Sequence, residues 1–445
     1  MPKYQPYQKY KDSGVEWLGE VPKKWLTIQS KRIFKHSTDK SLPNDEQLAA
    51  TQMYGVIPQK MYMELKSQKV VLALNGTESF KHTEKDDFVI SLRSFQGGIE
   101  RSHYSGCVSP AYTVLKPTYQ VNQDYFQYLF KSTSFINMLG SLSDSIREGK
   151  PINYATFSMF TLPLPSKDEQ IEIASILKIE TTRIDALIQK KTRFIELLKE
   201  KRQALISHAV TKGLDPKVAM KDSGIDWLGD VPTHWDVTKL KYVGQAIIGL
   251  TYNPSEVVDE GEGIIVLRST NIQDKKIILN DVVNVTTEIP EKLLTREGDI
   301  LICSRNGSKK LIGKNAIISK ENVGLTFGAF TTVFRCKSSS YVYWLLNSQL
   351  FEYQSGMFST TTINQLTTGT LNNFNVPFPT PSEQLVISNY LTEETGKIEL
   401  LLNKTQQSIE LLKEHRTALI SAAVTGKIDV RNHAGSINNN KLEVA

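Results

Sequence analysis

Cysteine is scarce in this chain: three in 445 residues, Cys107, Cys303 and Cys336, with no CxxC pair. An odd count at wide spacing fits reduced thiols in a cytosolic protein and argues against a disulfide framework or a zinc site. Long apolar runs are missing too, and none approaches the roughly 20 residues that cross a bilayer. The opening MPKYQPYQKYKDSG has no apolar core, so no signal peptide is expected. The seven histidines show no metal-ligand spacing. There is no nucleophile motif and no glycine-rich cofactor loop. GSKKLIGKN at 307–315 comes nearest, but its second glycine falls one residue late, and Asn315 stands where a phosphate-binding loop needs Ser or Thr. NGT at 75–77 is a glycosylation sequon without meaning in a cytosolic chain. A non-catalytic protein with no metal or cofactor of its own is therefore expected. The net charge of +6 permits a polyanionic partner without demanding one.

Proline and glycine are also absent from residues 166–212, which read as one long helix. Ser166 and Glu169 make a capping box at its start, and Gly213 sits where it must end. Ile184, Ile188, Lys191, Ile195, Leu198, Arg202 and Leu205 recur at alternating steps of four and three, a heptad seam with two polar entries. About 45 residues at 1.5 Å each make a rod roughly 65 Å long. The rod returns at 380–425, with Thr380 as cap, Pro381 at the first helical position and Glu383 in place of Glu169. Its seam is Ile398, Leu402, Thr405, Ile409, Leu412, Arg416 and Leu419, and Gly396 weakens it locally. Two rods with matching seams are expected to pair with each other. Arg202 and Arg416 occupy seam positions in both copies; they are expected to set the register or meet a carboxylate across the rods, the alternative being snorkelling to the surface.

The rest of the chain is duplicated as well. KDSGVEWLGEVPKKW at 11–25 returns as KDSGIDWLGDVPTHW at 221–235, and LPLPSKDEQ at 162–170 as VPFPTPSEQ at 376–384. Four of the five tryptophans lie in the first pair of copies. Such a cluster can stack bases, but two Trp with Gly and Pro between them read better as a packing staple that closes a domain. Between the markers, DDFVISLRSFQGG (86–98) matches GDILICSRNGSKK (298–310): a short buried strand runs into a polar loop, with Arg93 opposite Arg305. SPAYTVL (109–115) matches GAFTTVF (328–334), and YFQYLFKSTSF (125–135) matches YVYWLLNSQLF (341–351), a core helix. Residues 40–80 and 250–290 show no match. The frame repeats while its contents differ.

The first rod ends near Thr211 and the next globular segment starts by residue 220. A compact domain of this size is only about 30–35 Å across and does not carry the chain back along a 65 Å rod. The rods are thus expected to run antiparallel, giving a dumbbell with pseudo-two-fold symmetry. Two different modules on a rigid bar suit a bipartite target, and DNA is the candidate. The expected readers are Arg93, Gln96 and Arg101 in the first module and Arg305, Asn306, Lys309 and Lys310 in the second, because Arg and Lys suit guanine and Asn and Gln suit adenine. Arg147, Lys150 and Tyr154 are further candidates.

SGVEWLGEVPKKW, then DDFVISLRSFQGGIERSHYSGCVSPAYTVL, then LPLPSKDEQ leading into the rod, all repeated, resembles the specificity subunit of type I restriction-modification systems. The resemblance implies an α+β fold in which two tandem-duplicated α/β target-recognition domains, residues 1–165 and 214–379, are separated by conserved helical regions at 166–213 and 380–428 that form an antiparallel coiled coil. Residues 429–445 are expected to be a disordered tail. It also implies a DNA-binding, non-catalytic subunit in the cytoplasm of a bacterium or archaeon. Its partners would be two methyltransferase subunits, which carry S-adenosylmethionine and methylate adenine, and motor-nuclease subunits that use ATP and Mg. A modest +6 charge fits partners that share the phosphate contacts. The alternative is a protein–protein adaptor with two heads on a coiled-coil bar.

Overall fold

The computed structural model describes residues 4–66, 77–144, 152–357 and 364–431. The chain packs as two compact units, one of residues 1–191 with 407–445, the other of residues 192–406. Packing therefore cuts both rods near the middle instead of separating rods from globular parts.

The first unit is built on a four-stranded antiparallel sheet, ordered β1 (Phe34–Ser37), β4 (Thr113–Pro117), β2 (Phe88–Ile90), β3 (Glu100–Arg101). A short helix, α1 (Ser94–Gly97), links β2 to β3, and α2 (Gln123–Phe130) covers the sheet. β2 reads FVI and is buried throughout. Phe34 is the hub of the core: the rings of Phe88, Phe126, Phe130 and Phe157 lie 5.3 to 5.8 Å from its centroid. Three of the four meet it edge to face, the arrangement the ring quadrupoles favour.

The long helix α3 (Lys167–Lys212) starts in this unit. The second unit repeats the sheet as β5 (Gly244–Ile248), β10 (Thr331–Cys336), β7 (Ile300–Cys303), β8 (Asn315–Ile317), with α4 (Ser339–Leu346) as its core helix. It adds a second sheet that includes β6 (Ile264–Leu267) and β9 (Thr326–Phe327), paired in parallel. Most of that sheet comes from the stretch where the two copies share no sequence. Its Leu267 and Phe327 pack against Leu301 and Val333 of the four-stranded sheet, in a core separate from the one under α4. The last helix is α5 (Pro381–Val424).

Within each unit the two helical stretches run antiparallel. In the first, Arg416 Nε lies 3.0 Å from Asp185 Oδ1; in the second, Arg202 Nη1 lies 2.9 Å from Glu399 Oε2. These are one ion pair seen twice, since both partners repeat at the same 214-residue offset. The shared arginines meet carboxylates across the helices. Two further contacts repeat in the same crossed fashion. Tyr125 OH donates to Val424 O and Tyr341 OH to Val210 O, at 2.8 and 3.2 Å. Thr133 N donates to Ser421 Oγ and Gln349 N to Ser207 Oγ, at 3.0 and 2.9 Å. Each globular core thus holds the end of the helix that belongs to the other repeat. Along the seam, Ile184, Leu198, Ile398, Leu402, Ile409 and Leu419 are buried, and Ile188, Ile195, Leu205 and Leu412 are half-buried.

Local details depart from the sequence reading. The capping boxes are half formed: Ser166 Oγ and Thr380 Oγ1 accept from the backbone of Glu169 and Glu383, but the Glu side chains turn elsewhere. Glu169 accepts from Tyr7 OH and Trp25 Nε1, both at 3.0 Å, and Glu383 pairs with His234 at 2.9 Å. The first helix ends as expected at Gly213, with φ of +77°, and the second ends the same way at Gly426, with φ of +74°. Trp25 and Trp235 are fully buried, so the repeated motif is a packing staple. The expected tail starts too early. Asp429 N donates to Gln5 O, Val430 is buried, and Arg431 lies 3.3 Å from Glu169, so 429–431 belong to the first unit. Residues 432–445 lie outside the described residues.

Candidate nucleic-acid interface

In the first unit β1 and β2 run opposite to β4, with Val114 facing Ser37 and Thr113 facing Ile90. The C-terminal ends of β1 and β2 therefore share one edge, and the loop carrying Arg93 and Gln96 leaves from it. Both side chains are exposed, and the Arg93 guanidinium has no partner among the described residues. The loop beneath them is held rigidly. Ser91 N donates to Ser94 Oγ at 2.8 Å. Lys131 Nζ donates to Gln52 O at 3.1 Å, to Gly97 O at 2.9 Å and to the Glu100 carboxylate. Gly98 has φ +83°, and a Cβ there would sit 2.0 Å from Phe130 O, so no other residue fits. Glu100 is buried, and desolvation pushes its carboxyl up to about 7 despite Lys131.

Not every expected reader stands on this edge. Arg101, on β3, is taken up by the fold: its guanidinium pairs with Asp86 and Asp124 and donates to Gln127 Oε1 at 3.1 Å. Tyr154 is half-buried, with its ring stacked on His36 at 4.8 Å and its hydroxyl donating to Phe34 O at 3.2 Å. Arg147 and Lys150 lie outside the described residues.

The same edge exists in the second unit, where β5 and β7 run opposite to β10. Arg305, Asn306, Lys309 and Lys310 follow β7 on it. Arg305, Lys309 and Lys310 are exposed and have no carboxylate partner among the described residues. Asn306 is bound inward: Oδ1 accepts from Ser308 N at 2.9 Å and Nδ2 reaches Ser269 Oγ at 3.4 Å. One residue escaped the sequence reading. Phe330, just before β10, is 60% exposed, and the Arg305 guanidinium lies 5.2 Å from its ring centroid. The signal was there in the repeat alignment, which sets Phe330 against Ala111.

The helices carry a second feature missed in sequence. Ile171 and Leu385, Leu187 and Leu401, and Leu197 and Leu411 occupy equivalent positions of the two repeats, and all six are 39 to 64% exposed. Apolar side chains are thus left bare at the same places in both copies. Among the described residues no helix is long and apolar enough to cross a membrane, and no group of His, Cys, Asp and Glu is placed to hold a metal.

A family model for the type I restriction modification DNA specificity domain matches residues 22–197 and again 232–411. The chain belongs to the type I restriction-modification DNA specificity family. The two specificity-domain matches start at Pro22 and Pro232 and stop at Leu197 and Leu411, equivalent positions of the internal repeat. The EcoKI specificity subunit of Escherichia coli K12 is 26% identical over 207 residues, 45% of this chain and 44% of its own length. The StySPI specificity subunit of Salmonella potsdam matches to the same extent, so the matched part spans less than half of these relatives. The putative MjaX specificity subunit of Methanocaldococcus jannaschii is 23% identical over 437 residues, 93% of this chain and 96% of its own. In fold, the chain is similar to one from a structure addressing complex assembly and conformational transition of the type I R-M system, with TM-score 0.72, 15% identity and coverage of 92% and 99%. It is also similar to the HsdS subunit of Thermoanaerobacter tengcongensis, with TM-score 0.56, 15% identity and coverage of 92% and 98%.

Proposed function

We propose that this specificity-family chain is the non-catalytic DNA-recognition subunit of a cytoplasmic type I restriction-modification complex. Each unit reads one half of an asymmetric bipartite site, and the paired helices set the spacer between the halves. The observation that carries this reading is the duplicated sheet edge. The frame is the same in both units, but one edge offers Arg93 and Gln96 and the other Arg305, Lys309 and Lys310. An unpaired Arg offers two donors to guanine O6 and N7, Gln pairs with adenine, and lysines hold phosphates. The chain's own residues bind and orient the duplex. The chemistry belongs to partners: two methyltransferase subunits bring S-adenosylmethionine to adenine, and motor-nuclease subunits use ATP and Mg. The apolar side chains exposed at equivalent positions of both helices support two copies of one partner.

Exchanging residues 220–375 for the same segment of a relative tests the reading. Methylated sites are mapped across the genome before and after. The expected result is a change in one half of the site with the other half kept; a wholly new site refutes one reader per unit. Those exposed apolar side chains also suit an adaptor that grips only proteins. A salt series separates the two, because DNA binding weakens linearly in log salt with a slope set by the phosphates neutralised.

A further inference from the structure

We infer that Arg305 and Phe330 act as one reading unit, and that the half-site of the second unit contains a guanine next to a thymine. The inference rests on the DNA-recognition role proposed above and deepens it. Phe330 is 60% exposed, and exposure alone would mean little; what sets it apart is that its backbone is fixed and the Arg305 guanidinium lies over its ring. Phe330 is not a loose side chain. Its carbonyl accepts from both Ser304 N and Arg305 N at 3.0 Å, Ala329 N donates to Leu250 O at 2.8 Å, and Thr331 N donates to Gly328 O at 2.8 Å. The backbone on both sides is therefore fixed, and the ring is presented, not packed. Arg305 lies over that ring, with no carboxylate among the described residues to turn it away. The ring steadies the guanidinium by its attraction for the cation while leaving the donor fork free, the preorganised state for bidentate contact with guanine.

In the major groove an apolar side chain beside such an arginine meets the one apolar group on the base edges, the thymine methyl. A ring held this firmly at the backbone suits edge contact better than insertion between bases. The first unit has Ala111 at the equivalent place, so the Arg–Phe pair belongs to the second unit alone.

The test uses the full chain assembled with its modification subunits. The methylated motif is mapped, and the 220–375 exchange assigns the half read by the second unit. Duplexes carrying the motif are then titrated with thymine replaced by uracil or guanine by 7-deazaguanine in that half. Loss of one buried methyl should weaken wild-type binding about four-fold, and loss of the N7 acceptor should weaken it within the roughly 5- to 150-fold range of a bidentate contact. Phe330→Ala should bind thymine and uracil duplexes alike, and Arg305→Lys, which keeps the charge, should lose the guanine preference. Unchanged thermal melting of both variants excludes a folding defect. A second half-site without neighbouring guanine and thymine overturns the inference. So does a Phe330→Ala complex that still prefers thymine by the wild-type factor. Binding without any sequence preference would instead sink the DNA-reading role itself.

Discussion

Replacing Lys131 with Met keeps the aliphatic stem and removes the ammonium that ties together the sheet edge carrying Arg93. Gln52 O, Gly97 O and the Glu100 carboxylate lose their shared donor. The Glu100 side chain is 3% exposed, and its Oε2 has no partner among the described residues. Burial already raises this carboxyl from 4.5 to about 7. A carboxyl raised in the folded state contributes stability in its protonated form; the contribution is complete below about 4.5 and lost as pH climbs through about 7. Without Lys131 the pKa rises further, so the gap between variant and wild type must widen with pH. At pH 5 both proteins hold Glu100 neutral, and the variant loses two hydrogen bonds to carbonyls, about 1 kcal/mol each. At pH 8.5 it also loses the countercharge of a buried carboxylate, for a total of about 3–5 kcal/mol. Asp87, raised by burial to about 6, titrates in both proteins and cancels in the difference. Urea unfolding at the two pH values, compared between variant and wild type, measures this. An equal loss at both would show that Glu100 is not the group Lys131 neutralises.

Two further outcomes are expected. Four residues inserted after Thr192 and after Gln406 add about 6 Å to each helix, which should lengthen the spacer of the methylated site by roughly one to two base pairs with both halves unchanged. An unchanged spacer in a folded, methylating variant would refute the helices as the ruler. Replacing Leu187 and Leu401 with Lys should abolish co-purification of the modification subunits while moving the melting temperature little, because both positions are exposed; undiminished co-purification would place the partner elsewhere.

The duplication, the two long helices and their ends were legible in the sequence because each rests on local chemistry. Heptad spacing, a Ser or Thr cap and a glycine with positive φ act within a few residues of each other. The strand-then-polar-loop pattern likewise located the two edges and the exposed Arg93 and Arg305. Tertiary structure decided what lies far apart in the chain. Arg101 reads as a binder until Asp86 and Asp124, 15 and 23 residues away, take up its donors. Glu169 reads as half of a capping box until Trp25, 144 residues earlier, claims its carboxylate. Phe330 reads as one more strand-edge hydrophobe until the sheet leaves it bare beneath Arg305. A side chain's partners are set by which distant segments the fold brings within about 3 Å, and periodicity carries no record of that distance.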